Sequence, residues 1–451
     1  MDYLRRLVSE RPEYEPVEDS PQDDAGSTEE RQPPWARFSR LEYAVFLLLG
    51  VAMLWAWNMF LAAAPYFHSR FESNEWAATH YQSCILSVST VTNLASSYTF
   101  ARIQKNASYP WRITISLLMN CAIFTLLAFS TVVMTNVSTQ AYFAFVMLMV
   151  FGTSLATGLN QNGVFAYVSG FGREEYMQAI MSGQGIAGVL PCIIQILSVL
   201  AVPRDANGGQ DDENMLQGSS AKSAFIYFLT ATAVSVFTLL VFLYLLRNRP
   251  SARPKSSDDE EEEDTALVEG TEDKSVSLWI LFLKLRYLAC AVFMVFTVTM
   301  MVFPVYTSRI LSVNNPSKSR MYDAPVFIPI GFLFWNVGDF VGRLAVAIPK
   351  LSLSHRPWLA FVLSLLRIVF IPLYLLCNIN GQGASVQSDF FYLFIVQGLF
   401  GITNGYLASS CMMGASHWVS ADERHAAGGF MGTMLVGGLT AGSLLSFVVA
   451  S

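Results

Sequence analysis

Long apolar runs alternate with short polar segments along most of the chain. Each run approaches or exceeds the roughly 20 residues that an α-helix needs to cross the hydrocarbon of a bilayer. We predict eleven spans, at 41–63, 82–101, 112–134, 140–166, 177–201, 222–246, 278–303, 325–348, 357–378, 389–414 and 425–449. The pattern therefore indicates an all-α polytopic membrane protein, embedded in a lipid bilayer.

Two polar segments divide the chain. Residues 1–38 are acidic and rich in proline, which predicts a disordered N-terminal segment. Residues 247–276 begin with arginines and continue through the acidic run DDEEEED, which predicts a flexible linker. Six spans lie before the linker, in residues 39–246, and five lie after it, in residues 277–451. We therefore expect two helix bundles in a 6+5 arrangement.

Basic residues predict the orientation of the chain. Lysine and arginine are concentrated in the short loops after the second, fourth, sixth, eighth and tenth spans. Because such loops remain on the cytoplasmic side, we expect a cytoplasmic N-terminus and an extracellular or luminal Ser451. The loop that carries Arg309, Lys318 and Arg320 is an exception on the opposite side.

Composition narrows the possible functions. Of the 451 residues, 53% are hydrophobic and 14% are charged, whereas a soluble domain is about one-quarter charged. The net charge of −6 gives no reason to expect a nucleic-acid partner. The chain has no zinc-protease, nucleophile-elbow or P-loop motif, and its six cysteines form no CxxC pair. We therefore expect no enzyme activity, no cofactor and no metal site.

The most informative polar residues lie inside an apolar run, IGFLFWNVGDFVGRLAVAIP, at 330–349. Charge at the centre of a membrane costs at least about 2.5–3.5 kcal/mol. Asp339 and Arg343 are four residues apart and share a helix face with Asn336. That face is expected to meet protein or a water-filled cavity. The pair would then either contribute to a solute pathway or only hold helices together as an internal ion pair.

Other predicted spans also carry buried polar groups. Asn58 lies deep in the first span and needs a partner or a ligand. Next to it, Trp57 forms an aromatic and aliphatic face with Leu54 and Leu61. Arg367 lies in the middle of the ninth span with no acidic residue nearby in sequence, so it requires an interhelical partner or a cage of carbonyl groups.

Small residues recur at helix-packing intervals. Gly338 and Gly342 form a GxxxG motif, and Gly183 and Gly185 lie in the stretch SGQGIAG. Such residues let helices approach closely. We therefore assign these glycines to helix packing.

Taken together, the motifs resemble those of the equilibrative nucleoside transporters, and within them the fungal branch. The resemblance covers nearly the whole membrane region. It is carried by Trp57-Asn58 followed by Tyr66-Phe67, MSGQGIAG (181–188), FPVYT (303–307), FWNVGDFVGR (334–343) and TNGYLASSCM (403–412), which contains Asn404 and Gly405. Relatives commonly have proline before Trp-Asn, whereas this chain has Ala56.

The resemblance implies a fold related to the major facilitator superfamily and facilitative passage of nucleosides, with nucleobases left open, by alternating access. It implies that Trp57 packs against the base, that Leu54 and Leu61 form the cavity wall, and that Asp339 and Arg343 contact the ribose and the base. It further implies a role in reading the base for Asn162 or the adjacent Gln161, and weaker substrate contacts for Leu86, Phe303 and Asn336. Asn58, Asn404 and Gly405 are expected to be structural.

Two alternatives remain. A proton-coupled nucleoside symporter would use Asp339 as a titrating group, although the adjacent Arg343 favours the ionised carboxylate. A membrane receptor or scaffold would instead use the acidic linker as its working part. Protein partners are open, and the sequence leaves both the vacuolar and the plasma membrane as possible locations.

Overall fold

A computed structural model describes residues 39–104, 107–201, 210–248 and 276–450. Within these ranges the regular elements are helices, apart from one bridge between Ile310 and Ile379. The predicted N-terminal segment and nearly all of the predicted linker lie outside the described residues.

Thirteen α-helices follow one another in the described ranges. They are α1 (Arg40–Ala62), α2 (Ala64–Phe71), α3 (Glu75–Arg102), α4 (Tyr109–Val133), α5 (Thr139–Ser169), α6 (Glu174–Ala201), α7 (Gln210–Asn248), α8 (Leu278–Thr307), α9 (Ala324–Ala345), α10 (Pro357–Leu366), α11 (Phe370–Leu375), α12 (Leu399–Gly414) and α13 (Arg424–Ala450). A π-helical segment, Phe391–Gly398, leads directly into α12. Each of the eleven predicted spans falls on helical structure; the ninth covers α10 and α11, and the tenth covers the π-helical segment and α12.

Ten helical stretches in the described part of the chain are long and apolar enough to cross a membrane. Helix α3 is the predicted span that falls outside this set, because its middle is rich in serine and threonine. Its 28 residues are nevertheless longer than a bilayer requires. Large apolar side chains are exposed along most of the other helices, which suits a surface covered by lipid.

Local signals determine where the helices begin. Prolines occupy the first turns of α4, α9 and α10, where the missing N–H costs nothing. The side chain of Asn74 accepts a hydrogen bond from the backbone N–H of Ala77 at the start of α3, which satisfies one of the free donors of that end. Ser420 and Glu423 form a capping box immediately before α13.

Arg367 interrupts the ninth predicted span with a short 3₁₀ turn between α10 and α11. Its buried guanidinium donates to the carbonyl oxygens of Val295 (2.6 Å) and Phe400 (3.3 Å) and to the hydroxyl of Thr403 (3.3 Å). The ring of Phe400 lies 4.4 Å from the guanidinium carbon. The predicted need for an interhelical partner or a cage of carbonyl groups is therefore confirmed.

The glycines predicted to mediate packing lie where two helix backbones meet. A Cβ atom on Gly183 would overlap the main chain at Leu47, and one on Gly342 would overlap the carbonyl of Ile402. Gly185, Gly338 and Gly405 lie similarly close to Phe340, Gly398 and Asp339, respectively. The close approach brings α9 against α12, and α6 against α1.

We refer to the helices before the predicted linker as the N-terminal set (α1–α7) and to those after it as the C-terminal set (α8–α13). An aromatic cluster that includes Phe60, Phe67 and Phe228 lies within the N-terminal set. Another, which includes Tyr374 and Phe400, lies within the C-terminal set. The largest cluster contains side chains of both sets, so the two sets share part of their core.

Candidate binding site around Asp339 and Arg343

Helix α9 presents its two charged residues on one face. The Nε atom of Arg343 donates to Oδ2 of Asp339 at 2.6 Å. Each of the two residues is only 4% exposed. A carboxylate and a guanidinium at this spacing neutralise each other, which makes their burial in an apolar segment affordable.

The other carboxylate oxygen is held by α12. Asn404 donates from Nδ2 to Oδ1 of Asp339 at 2.6 Å. The amide oxygen of Asn404 in turn accepts from the hydroxyl of Thr299, on α8, at 2.7 Å. Both oxygens of Asp339 therefore have partners, and three helices of the C-terminal set meet at this carboxylate.

Arg343 also reaches across to the N-terminal set. Its Nη1 atom donates to the carbonyl oxygen of Met181 and to Oε1 of Gln184, both at 3.0 Å. The Nε2 atom of Gln184 lies 2.9 Å from the sulfur of Met53, on α1. One network of side chains thus joins α1 and α6 to α8, α9 and α12.

The burial of the pair distinguishes between the two surroundings expected from the sequence. The charged pair was expected to face a wet cavity or protein, and in this conformation it faces protein. The reason is that α6 packs directly on α9: Gly185 lies against Phe340 and Arg343, and Gly188 lies against Asn336. The pair therefore joins α6 and α9 through the hydrogen bonds of Arg343 to Met181 and Gln184.

Asn336 lies one turn before Asp339 and is half-buried. Its Nδ2 atom donates to the carbonyl oxygen of Phe332 at 2.9 Å and lies 3.5 Å from the sulfur of Cys192 on α6. It therefore belongs to the same α6–α9 contact as Arg343.

Phe303, at the end of α8, is buried in an aromatic stack. Its ring centroid lies 4.0 Å from that of Trp335, with 21° between the ring planes, and 5.1 Å from that of Phe332. The Nε1 atom of Trp335 is buried without a hydrogen-bond partner. This stack is adjacent to Asn336 along α9.

The predicted face on α1 is partly open. Leu54 and Trp57 are half-buried and Leu61 is 46% exposed. Trp57 is stacked parallel to Phe60, with centroids 6.0 Å apart. Asn58 donates to the carbonyl oxygen of Ala187 on α6 at 2.7 Å, so the predicted need for a partner is met by main chain.

The two candidate amides on α5 have different environments. Asn162 accepts a hydrogen bond from Nη1 of Arg112 at 2.6 Å and lies against Gly429 of α13. The Oε1 atom of Gln161 is buried without a partner. Leu86, on α3, is 42% exposed.

The structure thus brings Asp339, Arg343 and Asn404 into one hydrogen-bond network. Asn336 shares the α6–α9 contact with this network, and Phe303 lies in the aromatic stack next to Asn336 along α9. No contact described for residues 39–104 or 107–201 joins Trp57, Leu86, Gln161 or Asn162 directly to Asp339 or Arg343. Within the described residues, no group of three or more His, Cys, Asp or Glu side chains could hold a metal ion.

Sequence reasoning did not identify Gln184, Thr299 or Trp335 as part of this region. Gln184 carried a usable signal, since it is the lone amide in a glycine-rich membrane segment. Thr299 carried none, because threonine is common in membrane helices and usually bonds its own helix.

Comparison with known proteins identifies the family of the chain. Residues 145–451, more than half of the chain, match the family described as "Nucleoside transporter". The chain is 29% identical to the nucleoside transporter FUN26 of Saccharomyces cerevisiae, over 91% of this chain and 84% of that protein. It is 27% identical to equilibrative nucleoside transporter 1 of Rattus norvegicus, over 90% and 96% of the two chains.

Solved structures support the fold. The crystal structure of FucP, a major facilitator superfamily transporter in the outward conformation, aligns with 92% of this chain and 90% of its own at a TM-score of 0.56 and 15% identity. The human organic anion transporter MFSD10 aligns over 92% and 93% at a TM-score of 0.57 and 14% identity. The chain is therefore a multi-pass membrane protein with a major-facilitator-like fold, and it belongs to the nucleoside transporter family.

Proposed function

We propose that this protein carries nucleosides across a membrane by facilitative, alternating-access transport. The observation that supports this most directly is the buried Asp339–Arg343 pair at the contact between the two helix sets. A charged pair retained there, in a family of transporters, fits a site that a polar solute reaches when the sets move apart. The names of the yeast and rat relatives point to the same class of solute.

A nucleoside presents a flat base and a sugar rich in hydroxyl groups. In this proposal the base packs on Trp57, with Leu54 and Leu61 as the apolar wall. The Asp339 carboxylate accepts hydrogen bonds from ribose hydroxyls, and Arg343 donates to oxygen atoms of the sugar or base. Asn336 and Phe303 border the same region through the α6–α9 contact and the Trp335 stack.

Of the two candidate amides on α5, Gln161 is a better candidate than Asn162 for reading the base. Asn162 already accepts a hydrogen bond from Arg112, whereas the Gln161 oxygen is buried without a partner. A buried acceptor without a donor costs free energy that a ligand N–H would recover. Leu86 completes the proposed wall from α3.

The proposed orientation places the N-terminus in the cytoplasm and the C-terminus outside or in a lumen. The exceptional basic loop fits this orientation, because Arg320 has a structural role there. It donates to the carbonyl oxygens of Val199 (3.0 Å) and Leu200 (3.1 Å) at the end of α6. That charge is therefore used to cap a helix.

Uptake of labelled adenosine and uridine into proteoliposomes tests the proposal. Saturable uptake that is indifferent to an inward proton gradient is the expected result. Uptake that requires the gradient would instead establish a proton-coupled symporter. If folded protein took up neither nucleoside, the proposed substrate class would be wrong.

A further inference from the structure

We infer that Gln184 is a positioning residue that couples solute binding at Arg343 to separation of the two helix sets. This inference rests on the proposed nucleoside transport and adds to it a residue that links occupancy of the site to movement of the helices.

The first support is how the guanidinium of Arg343 is shared. Its Nε atom serves Asp339 on its own helix, while Nη1 serves Gln184 and the Met181 carbonyl on α6. One end of the planar group is therefore held within the C-terminal set and the other by the N-terminal set. Any movement that opens the α6–α9 contact at this level must break the Nη1 bonds.

The second support is the orientation of the Gln184 amide. Arginine only donates hydrogen bonds, so the amide oxygen must face Arg343 and the NH₂ group must face away. That NH₂ group lies 2.9 Å from the sulfur of Met53, and a thioether is a weak acceptor. Gln184 thus gives its strong acceptor to Arg343 and leaves its donor poorly used, which is not the arrangement that packing alone would favour.

The third support is the closeness of the surrounding backbones. Gly185 follows Gln184 directly, and a Cβ atom there would overlap the ring of Phe340 and crowd the side chain of Arg343. Gln184 is itself buried. The amide therefore has little freedom to follow Arg343 if the guanidinium turns toward a solute.

A ligand shifts a conformational equilibrium only through a difference in its interactions with the two states. A solute oxygen that takes a hydrogen bond from Nη1 of Arg343 competes with Gln184 for the same donor. Binding then weakens the link that keeps the two sets together at this point. When the site is empty, the hydrogen bond between Gln184 and Arg343 remains. The empty protein then changes conformation more slowly than the protein with bound solute.

Three variants test the inference in proteoliposomes, with KM and maximal rate of uridine uptake measured per folded protein. Gln184→Glu places a carboxylate opposite Arg343 and strengthens the link, since charge-assisted hydrogen bonds are roughly twice as strong as neutral ones. We expect its maximal rate to fall on the order of tenfold, with KM changed less than about threefold. Gln184→Met has a similar volume and cannot hold the guanidinium through an amide oxygen. Because a solute then no longer competes with an amide oxygen for Nη1, we expect its KM to fall several-fold while its maximal rate stays within about threefold of wild type.

Met53→Leu is the matched control, because it removes the other partner of Gln184 and leaves the Arg343 contact in place. It should transport as wild type does. The opposite signatures of the Glu and Met variants are the decisive readout, because lost packing would change both in the same way. Gln184→Met is neutral and nearly isosteric, so it decides the question even if Gln184→Glu does not fold.

The possible failures are distinguishable. Wild-type protein that is folded but takes up neither adenosine nor uridine would remove the proposed function, and the inference with it. Wild-type uptake combined with unchanged kinetics in Gln184→Met would overturn the inference alone. Equal losses of abundance, melting temperature and maximal rate in both Gln184 variants would reduce Gln184 to a packing residue.

Discussion

The amide nitrogen of Asn404 lies 2.6 Å from one oxygen of Asp339, and the Nε atom of Arg343 lies 2.6 Å from the other. A carboxylate is the side chain that can accept from two donors placed on opposite sides. Thr299 fixes the orientation of the Asn404 amide by donating to its oxygen. The two oxygens of Asp339 are therefore both engaged where α8, α9 and α12 pack together.

We expect Asp339→Asn to reduce saturable uptake per folded protein by more than tenfold. The single amide oxygen of asparagine can accept from Arg343 or from Asn404, and its NH₂ group would then face the other donor. The variant also leaves the buried guanidinium without a counter-charge, at a cost of about 3–5 kcal/mol. Uptake in proteoliposomes, normalised to monodisperse protein, measures the effect.

Asp389→Asn is the control for that experiment. Asp389 accepts hydrogen bonds from Ser312 and Asn314 in a loop away from the proposed site. Uptake by this variant should remain close to wild type. Normal uptake by well-folded Asp339→Asn would exclude the carboxylate from the transport site.

Trp57→Ala should raise KM for nucleosides about tenfold, while Trp57→Phe should raise it less. Stacking of a base on an aromatic side chain contributes roughly 1–3 kcal/mol by alanine substitution, and phenylalanine keeps part of that surface. The comparison variant is Trp279→Ala, which removes a tryptophan that is 65% exposed at the start of α8. Equal effects of Trp57→Ala and Trp279→Ala on KM would contradict a stacking role.

The sequence predicted those features that depend on neighbouring residues. Membrane spans follow from continuous apolar runs, and the shared face of Asp339 and Arg343 follows from helix geometry over one turn. The need for a cage around Arg367 followed from an unpaired charge in an apolar run. None of these three predictions requires knowledge of which helices are in contact.

Partners on other helices could not be predicted in this way. Gln184 is 159 residues from Arg343, and Asn404 is 65 residues from Asp339. Whether they meet depends on the rotation and depth of α6, α9 and α12 relative to one another. The pairing of Asn162 with Arg112, 50 residues earlier, was missed for the same reason.

Arg367→Met should melt at or above the temperature of wild type, whereas Arg367→Ala should melt clearly below it. The carbonyl oxygen of Phe400 also accepts from the hydroxyl of Thr403, and that of Val295 lies inside α8, where the backbone N–H one turn later bonds to it. Both carbonyls therefore keep partners when the guanidinium is removed. Replacing a buried charged group by an apolar one of similar volume is often neutral or stabilising by about 1–4 kcal/mol. Alanine would instead leave a cavity, which costs about 2–5 kcal/mol for large side chains.

Melting curves of the purified variants in one detergent measure this difference. A large drop for Arg367→Met, similar to that for Arg367→Ala, would show that the cation itself stabilises the C-terminal set. In that case the three hydrogen bonds and the contact with Phe400 would outweigh the cost of removing the charge from water.

Gly437 and Gly438 offer a test of helix packing in which neighbouring residues serve as variant and control. A Cβ atom on Gly438 would overlap the carbonyl oxygen of Phe293 on α8, and Thr297 donates to the Gly438 carbonyl at 3.3 Å. Gly438→Ala should therefore force α13 away from α8 and cost about 1–3 kcal/mol.

A Cβ atom on Gly437 would lie 3.5 Å from the ring of Phe293, which is an ordinary contact. Gly437→Ala should thus be neutral or stabilising by up to about 1 kcal/mol, because alanine favours the helix. Melting temperatures in the same detergent should fall only for Gly438→Ala, and the reverse order would mean that α8 and α13 do not pack through this face.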